Sequence, residues 1–504
     1  MAAVVLTGLS ASDPVPGNYI EINFAQGPAS LGTGVYDVLF MGNKTSSGSA
    51  TVDTVVYGPN SATPLASEAD AITLFGAGSE LHRMIAAFLK VNRVTPIYAI
   101  AVTESAGTAA TRDHVISGTA TSDGNIRFWV GPEFVDVSVA SGTAAAALAT
   151  AAAAAINAKT SWPVTASVVT STTLRLTAKN KGPRGNFIRS GQQVSSAAGI
   201  AVTNPAQDFL TSGATADDNT VALSTILPNR YYNIVSAAGD ATQFGALVSQ
   251  VSTQAAPITG LRQRAFTGSN DSLANTTTIA TGRNAARAEI VWLAQSDVEP
   301  PVLAATAVSV YALEELPFPF RTNFAGYGND AKTQPNWTLP APRSGASPTR
   351  ANVASALNNG ITPIGVNTNG STYIVNRITT RSLNGATNDY RIRDAHKVTV
   401  CDRYADDLSS KYALQFGGKK IANDPPQGAK QPGPDVATPR VVKAAIDQLT
   451  REYGNVDLVQ NVDEIIAQTQ VQRATSPTTR MEARIPLQTI DNLLQTATAV
   501  DQVA

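Results

Sequence analysis

At 504 residues the chain exceeds what one hydrophobic core usually supports, so roughly two to four domains are expected, each able to bury a core of its own. Apolar residues make up 43% but charged residues only 15%, well under the usual quarter, with Ala, Thr, Ser, Asn and Gly filling the difference; a surface so poorly charged suits being covered. With 37 basic against 38 acidic residues the formal charge is -1, which argues against nucleic acid or anionic lipid as a primary partner, and the single cysteine, Cys401, excludes an intrachain disulfide and any multi-cysteine metal site.

The opening MAAVVLTGLSASDP lacks the basic region of a secretory signal and is too short in apolar residues to span a bilayer, so a chain made and kept in the cytosol is expected. Turn formers (DPVPGN, 13–18) precede YIEINF, 19–24, where Ile20, Ile22 and Phe24 alternate at strand period outside any obvious domain. VYDVLFMG, 35–42, reads as the first core strand. A helix capped by Ser67 follows, then a second beginning at Ser79 with Glu80 in its first turn and Leu81, Ile85, Phe88 and Leu89 on one face. IYAIAV, 97–102, completes a strand, helix, strand beginning to an α/β layer.

From about 108 to 212 the texture changes. IRFWV, VDVSVA, VTASVVTS and TLRLTAK are short strands around one Ala-rich helix (144–156), and the block ends in the turn-rich NKGPRGN. Alanine is the best helix former and only weakly apolar, so this helix is a soluble one. A β-rich unit that starts after one α/β strand and stops before the next is expected to be an inserted domain.

The α/β alternation then resumes. YYNIVSAA (231–238), RQRAFTG (262–268) and AEIVWLA (288–294) are strands, with helices near 241–254, 271–281 and 300–315, which predicts a parallel sheet covered on both faces. A helix over 348–358 is stopped by Asn359 and Gly360, and STYIVNRITTRS, 371–382, reads as a strand that would put Arg377 and Arg381 on one face. Amphipathic helices follow at 395–416 and from Thr438 and Pro439, the second with Val442, Ile446, Leu449 and Tyr453 aligned. The tail from 461 has scattered apolar residues but no clear amphipathic face, as in a segment that needs a partner surface.

Catalytic chemistry is thinly represented. His82, His114 and His396 are the only histidines; His82 lies within a helix next to Arg83, where a surface or partly packed position is expected over a catalytic one, and no serine stands in a G-x-S-x-G elbow; Ser79 in GAGSE better serves as a helix cap. FGGKK, 416–420, and NKGPRGN both lack the helix a phosphate loop requires. Asp402, Asp406 and Asp407 cluster on one helix beside Arg403 and Lys411, where a solvated or salt-bridged face is expected over a metal site. Arg377 and Arg381 fit anion binding or interfacial carboxylate pairing.

Five stretches in order, VPGNYIEINF, LFGAGSELHRMIAAFL, IRFWVGPEFVDVSVA with AAAAINA and LTAKNKGPRGN, ALNNGITPIG with YIVNRITTRS, and RATSPTTRMEARIPLQTIDNLL, resemble the tail sheath proteins of contractile-tailed bacteriophages, in particular the Mu-like branch. The resemblance implies an α/β fold whose core sheet is subtilisin-like, with helices on both faces and no working triad, a protruding inserted β-rich (α+β) domain, and extended N- and C-terminal strand arms that complete sheets in neighbouring subunits. It divides the chain into an N-terminal arm (1–30), core (31–107), inserted domain (108–212), core (213–345), a C-terminal part with an arm-accepting sheet (346–486) and a C-terminal arm (487–504). Expected inter-subunit residues are Tyr19, Ile20, Ile22 and Phe24 in the first arm; Ile485, Leu487, Ile490, Leu493, Leu494 and Val500 in the last; and Tyr373, Val375, Arg377, Ile378 and Arg381 in the accepting sheet. Implied partners are further copies in stacked hexameric rings, a tail tube protein, and baseplate and tail terminator proteins, with no nucleic acid, no membrane insertion, no catalytic or metal residues and no cofactor. The place implied is the virion, after synthesis in the host cytoplasm. A sheath from a phage-tail-like bacteriocin or secretion machine shares this physics; a diverged serine hydrolase or an exported surface-layer protein is the remaining alternative.

Overall fold

Successive residues of the strand Val38–Gly42 (β1) point into two different apolar layers, Val38 and Phe40 into one, Leu39 and Met41 into the other, and the sheet built on it is therefore buried on both faces. The computed structural model describes residues 17–18, 20, 36–56, 65, 67–205, 208–227, 229–315, 321–330, 334–385, 387–389, 391–430 and 432–499. After β1 come Val55–Val56 (β2), helices Glu68–Phe75 (α1) and Glu80–Leu89 (α2), and Ile97–Ala101 (β3). The next stretch holds Ala109–Gly118 (β4), Gly124–Val130 (β5), Glu133–Val139 (β6), Ala145–Asn157 (α3), Val164–Thr170 (β7), Thr173–Lys181 (β8), Ser190–Ser195 (β9) and Ile200–Thr203 (β10). Alternation resumes with Thr220–Ile226 (α4), Asn233–Ser236 (β11), Ala241–Gln254 (α5), Arg264–Ser269 (β12), Leu273–Arg283 (α6), Ala288–Trp292 (β13), Pro300–Glu314 (α7), Arg350–Asn358 (α8), Thr362–Val366 (β14) and Thr372–Ile374 (β15).

These strands form an eight-stranded sheet in the order β15-β14-β13-β12-β11-β1-β3-β2, parallel from β14 to β3 and antiparallel at both ends. One face is covered by α1, α2 and α7, the other by α4, α5, α6 and α8. Helix α7 is apolar all round because β12 lies against one side and α2 against another. Both expected caps form: Ser67 makes a capping box with Asp70, and Ser79 Oγ accepts the His82 N–H at 3.1 Å. Gly360, at φ +75°, makes the left-handed exit after α8; Asn359 does not, and a Cβ on Gly360 would lie 2.5 Å from the Thr380 carbonyl.

Between β3 and β11, which flank β1, the chain builds a separate core from Ile116, Phe128, Leu148, Trp162, Leu174 and Leu176, enclosed by antiparallel sheets β10-β4-β8-β7 and β6-β5-β9 with α3. Buried charges bolt it to the larger sheet. Arg184 meets Glu80 Oε1 at 2.9 Å and contacts Asp217, Asn180 Oδ1 accepts the Glu80 N–H at 3.1 Å, and Arg189 donates to the Gln295 carbonyl at 2.6 Å beside Asp297. Burial raises the Glu80 carboxyl, and Arg184 opposes that shift.

The described residues of 36–251 and 263–388 form one compact unit; 17, 18, 20, 252–262 and 389–499 belong to a second. Helix α8 and strands β14 and β15, grouped by the sequence with the C-terminal part, thus belong to the sheet unit. That unit ends in the paired strands Leu383–Asn384 (β16) and Thr387–Asn388 (β17). The second holds Ala395–Phe416 (α9), Lys420–Ile421 (β18), Val436–Ala437 (β19), Pro439–Gly454 (α10), Val462–Gln468 (α11), and a hairpin of Gln470–Arg473 (β20) and Met481–Arg484 (β21). Among the described residues no helix is long and apolar enough to cross a membrane.

The root of the sheet carries a titratable group with a measurable consequence. Asp37, 7% exposed, accepts the Tyr232 N–H at 2.9 Å; burial pushes its carboxyl up to about 6, against this bond and Arg230. A carboxyl raised from 3.8 on folding binds its proton more tightly in the folded state. Its contribution to stability is complete below 3.8 and lost as pH rises through about 6, worth about 3 kcal/mol across the window. His114, driven down to about 4 by burial, acts the other way, its contribution present above 6.5 and lost as pH falls. Asp37→Asn is therefore expected to stabilise the sheet unit more at pH 7 than at pH 4.5, shifting the pH slope upward by the Asp37 contribution whatever His114 adds, read from thermal unfolding at both. An unchanged slope would contradict the assignment.

Candidate inter-subunit surfaces

The three histidines are built into packing. His82 is 1% exposed, its Nδ1 accepting the Gly78 N–H at 2.9 Å and Nε2 lying 3.3 Å from Glu68; burial lowers its pKa, with Glu68 opposing. This corrects the surface or partly packed position expected for it. His114 bonds Asn204 at 2.6 Å and meets Phe128 edge-on. His396 sits in the first turn of α9 and holds the tail, as described below. The face of α9 expected to be solvated or salt-bridged is bonded within the chain rather than solvated: Asp402 is fully buried, Asp406 pairs with Arg262 at 3.0 Å, Lys411 pairs with Glu452 at 3.3 Å, and Asp407 takes the Tyr453 hydroxyl at 2.8 Å, its carboxyl pushed up to about 6 by burial. The apolar register of α10 brings Tyr453 to that face. Among the described residues no group of three or more His, Cys, Asp or Glu could hold a metal.

Of the first arm, Tyr19, Ile22 and Phe24 lie outside the described residues. Ile20 is described; it is not in a strand, and its carbonyl accepts from Arg262 at 3.3 Å, while Asn18 donates to the Ser409 carbonyl at 3.3 Å.

The expected accepting sheet departs from its sequence reading. The strand ends at Ile374 rather than running to Ser382, so Arg377 and Arg381 do not share a strand. Its free side is closed by the chain itself: the Ile374 N–H donates to the Tyr327 carbonyl at 2.8 Å, the Gly326 N–H donates to the Ile374 carbonyl at 2.7 Å, and Pro340 bridges Ser371. Tyr373 lies in β15 itself. Beyond it, the Val375 N–H bonds the Pro363 carbonyl and the Ile378 N–H bonds Thr362 Oγ1, and Ile378 is fully buried. Arg377 is 4% exposed and surrounded: Nε donates to Glu289 Oε2 at 2.9 Å, Nη2 to Glu289 Oε1 at 3.1 Å, Nη1 contacts Glu315, and the guanidinium lies 3.8 Å from the Tyr311 ring centre. Burial disfavours its charge, but Glu289 and Glu315 more than compensate and raise its pKa. Arg264 joins the same cluster through Glu289. Arg381 is partly buried, its N–H on Thr379 Oγ1 at 3.3 Å.

Two further strands stand outside the larger sheets. Strands β20 and β21 pair only with each other among the described residues, register Gln470 with Arg484 to Arg473 with Met481, and rest on α10. An isolated two-stranded ribbon is marginal on its own, and its outer N–H and C=O groups are a template for added strands. Sequence reasoning did not name this hairpin; its signal was the turn ATSPTT between two polar, alternating runs.

The tail changes character within a few residues. Leu487 is 7% exposed, Thr489 bridges Val459, and the Ile490 N–H donates to the Leu458 carbonyl at 3.2 Å. Ile485 and Ile490 are half-buried. Leu493 is 75% exposed and Leu494 38%, and 495–499 are exposed too; Val500 lies outside the described residues. Of the six residues expected to reach a neighbour, Leu487 and Ile490 are thus engaged by their own chain, and Leu493 and Leu494 are displayed.

Among the described residues, then, the histidines and the α9 carboxylates are taken up in packing and ion pairs, and the tail displays Leu493 and Leu494. No protein-family profile matches the chain. Over 465 residues, 89% of this chain and 89% of the other, it is 24% identical to the Mu-like prophage FluMu tail sheath protein of Haemophilus influenzae. It is also similar to the crystal structure of a sheath tail protein of Listeria innocua (TM-score 0.49, 11% identity, 92% of this chain and 94% of that one) and to the helical sheath of the anti-feeding prophage in its contracted state (0.46, 12%, 97% and 99%). At those scores the solved structures add no weight to the sequence match, which, running through almost the whole of both chains, supports a contractile tail sheath.

Proposed function

We propose that the chain is the structural subunit of a contractile phage tail sheath, polymerising as a helical array around a tail tube and contracting by rigid-body rearrangement to drive the tube through the host envelope. The observation that carries this reading is the end-to-end match to a Mu-like tail sheath protein. Its partners are further copies, in hexameric rings stacked into a helix, together with the tube, baseplate and terminator proteins of a virion; it performs no catalysis and needs no cofactor. A subtilisin-like core belongs to the same reading, supported by six parallel strands with helices on both faces, and the separate core of 109–203 supports an inserted, protruding domain.

Strand exchange links the copies. Main-chain ladders resist load while their linkers let rigid bodies turn, and heterologous contacts that do not close generate a helix. In this reading the ribbon of β20 and β21, which pairs with no further strand among the described residues, is the accepting site rather than the region around Tyr373 to Arg381, whose edge is already occupied. The donor is the tail beyond Asn492, where docking would contribute about 2 kcal/mol from Leu493, 75% exposed, and about 1 kcal/mol from Leu494, 38% exposed. Energy stored in such contacts at assembly drives contraction without a nucleotide. Electron microscopy of the purified chain tests the class: long hollow cylinders are expected, and a persistently monodisperse subunit under all polymerising conditions would refute it.

A further inference from the structure

The change from engaged to displayed tail falls at one residue, and a specific set of side chains places it there. His396 and Lys397 stand in the first turn of α9. His396 is 5% exposed, with Nε2 at 3.2 Å from the Ile490 carbonyl and Nδ1 at 3.1 Å from Asn492 Nδ2. A carbonyl only accepts and an amide nitrogen only donates, so Nε2 carries the hydrogen and Nδ1 is bare, which is a neutral imidazole with both nitrogens satisfied. Lys397 Nζ lies 2.5 Å from Asp491 Oδ1. From the other side, the Gln460 N–H donates to the Gln488 carbonyl at 3.1 Å and Asn461 Nδ2 donates to Gln488 Oε1 at 2.6 Å.

We infer that His396, Lys397, Asn461 and the 458–460 backbone form a latch that pins residues 488–492 to their own subunit and fixes the pivot of the tail between Asn492 and Leu493. The latch is polar and directional. Three side chains reach consecutive or near-consecutive positions of an extended segment, which a merely apolar groove would not do, and a slip of the tail by one residue would unmake every bond at once. Burial of His396 keeps it neutral, as does the positive end of α9, and this preserves the bare Nδ1 that Asn492 needs. Asp394 and Asp491 oppose that effect, while Lys397 adds to it.

The consequence for assembly rests on the strand-exchange reading: the exchangeable arm would begin at Leu493, short and of defined length, and load arriving along it would enter the subunit at α9. The latch itself stands independently of polymerisation. Hydrogen–deuterium exchange of the full chain as a monomer at pH 7 reads it directly. Overlapping peptides are expected to show slow exchange through Ile490 and fast exchange from Leu493 onward. His396→Ala should accelerate the segment around Ile490 at least tenfold while peptides from α9 and α10 stay protected, and His396→Gln, which offers both a donor and an acceptor, should lose less. Should the alanine variant fail to fold, D491A/N492A alters only the tail side of the latch and should accelerate the same segment. Exchange through 488–492 in wild type as fast as in 495–499, or unchanged protection in the variants, would overturn the latch. Failure of strand exchange would show separately, as tubes formed by a chain cut after Asn492.

Discussion

A chain ending at Asn492 is expected to fold with its thermal midpoints shifted by no more than about 2 °C and to form no tubes. The residues removed from Leu493 to Ala499 are exposed, so taking them away leaves no described cavity and strips no buried polar group of its partner; changes at such surface positions usually stay within about 0.5 kcal/mol. What is lost is the only displayed apolar pair of the described tail. A cut six residues earlier behaves differently for a reason that is visible in the fold. Ending at Pro486 also removes Leu487, the Thr489 bridge to Val459, and the bonds made by Ile490 and Asn492, so the second unit itself should lose several kcal/mol. The comparison separates loss of assembly from loss of folding, which the shorter chain alone would confound. Circular dichroism and negative-stain microscopy on both chains read the result, and abundant cylinders from the Asn492 chain would remove the tail from the mechanism.

Much of the α/β order was legible because it is written locally. Strand period in VYDVLFMG, the caps Ser67 and Ser79, Pro439 at the head of α10 and the apolar spacing of Val442, Ile446 and Leu449 all act within a few residues, and those elements fall close to where the pattern puts them. The partners of a charge are not local. Arg377 meets Glu289, 88 residues away, and Glu315, 62 away, and nothing in YIVNRITTRS distinguishes an arginine aimed at a neighbour from one sealed in its own core. The same holds for His396, whose contacts lie 94 and 96 residues on. In the tail, alternating residues showed that something extended was present, but only the pairing of β20 with β21 and of Thr489 with Val459 reveals which parts are already spoken for.

Arg377→Ala is expected to destabilise the sheet unit by about 3–5 kcal/mol, the cost of breaking a buried ion pair by removing one partner. The cluster is electrically balanced: Arg264 and Arg377 face Glu289 and Glu315, all of them 5% exposed or less. Removing one guanidinium leaves two carboxylates sharing one cation where water does not reach, and Tyr311 loses the charge lying over its ring. The double variant R377M/E289M restores balance, since Arg264 and Glu315, 3.9 Å apart, remain as a pair, and buried pairs replaced by apolar groups of similar size are often tolerated. It should therefore recover a large part of the loss, which a simple packing defect would not do. Denaturant unfolding of the three proteins measures this. If instead Arg377→Ala cost less than about 1 kcal/mol yet abolished tubes, the arginine would be acting between subunits, and the burial that places it beyond a neighbour's reach would be wrong.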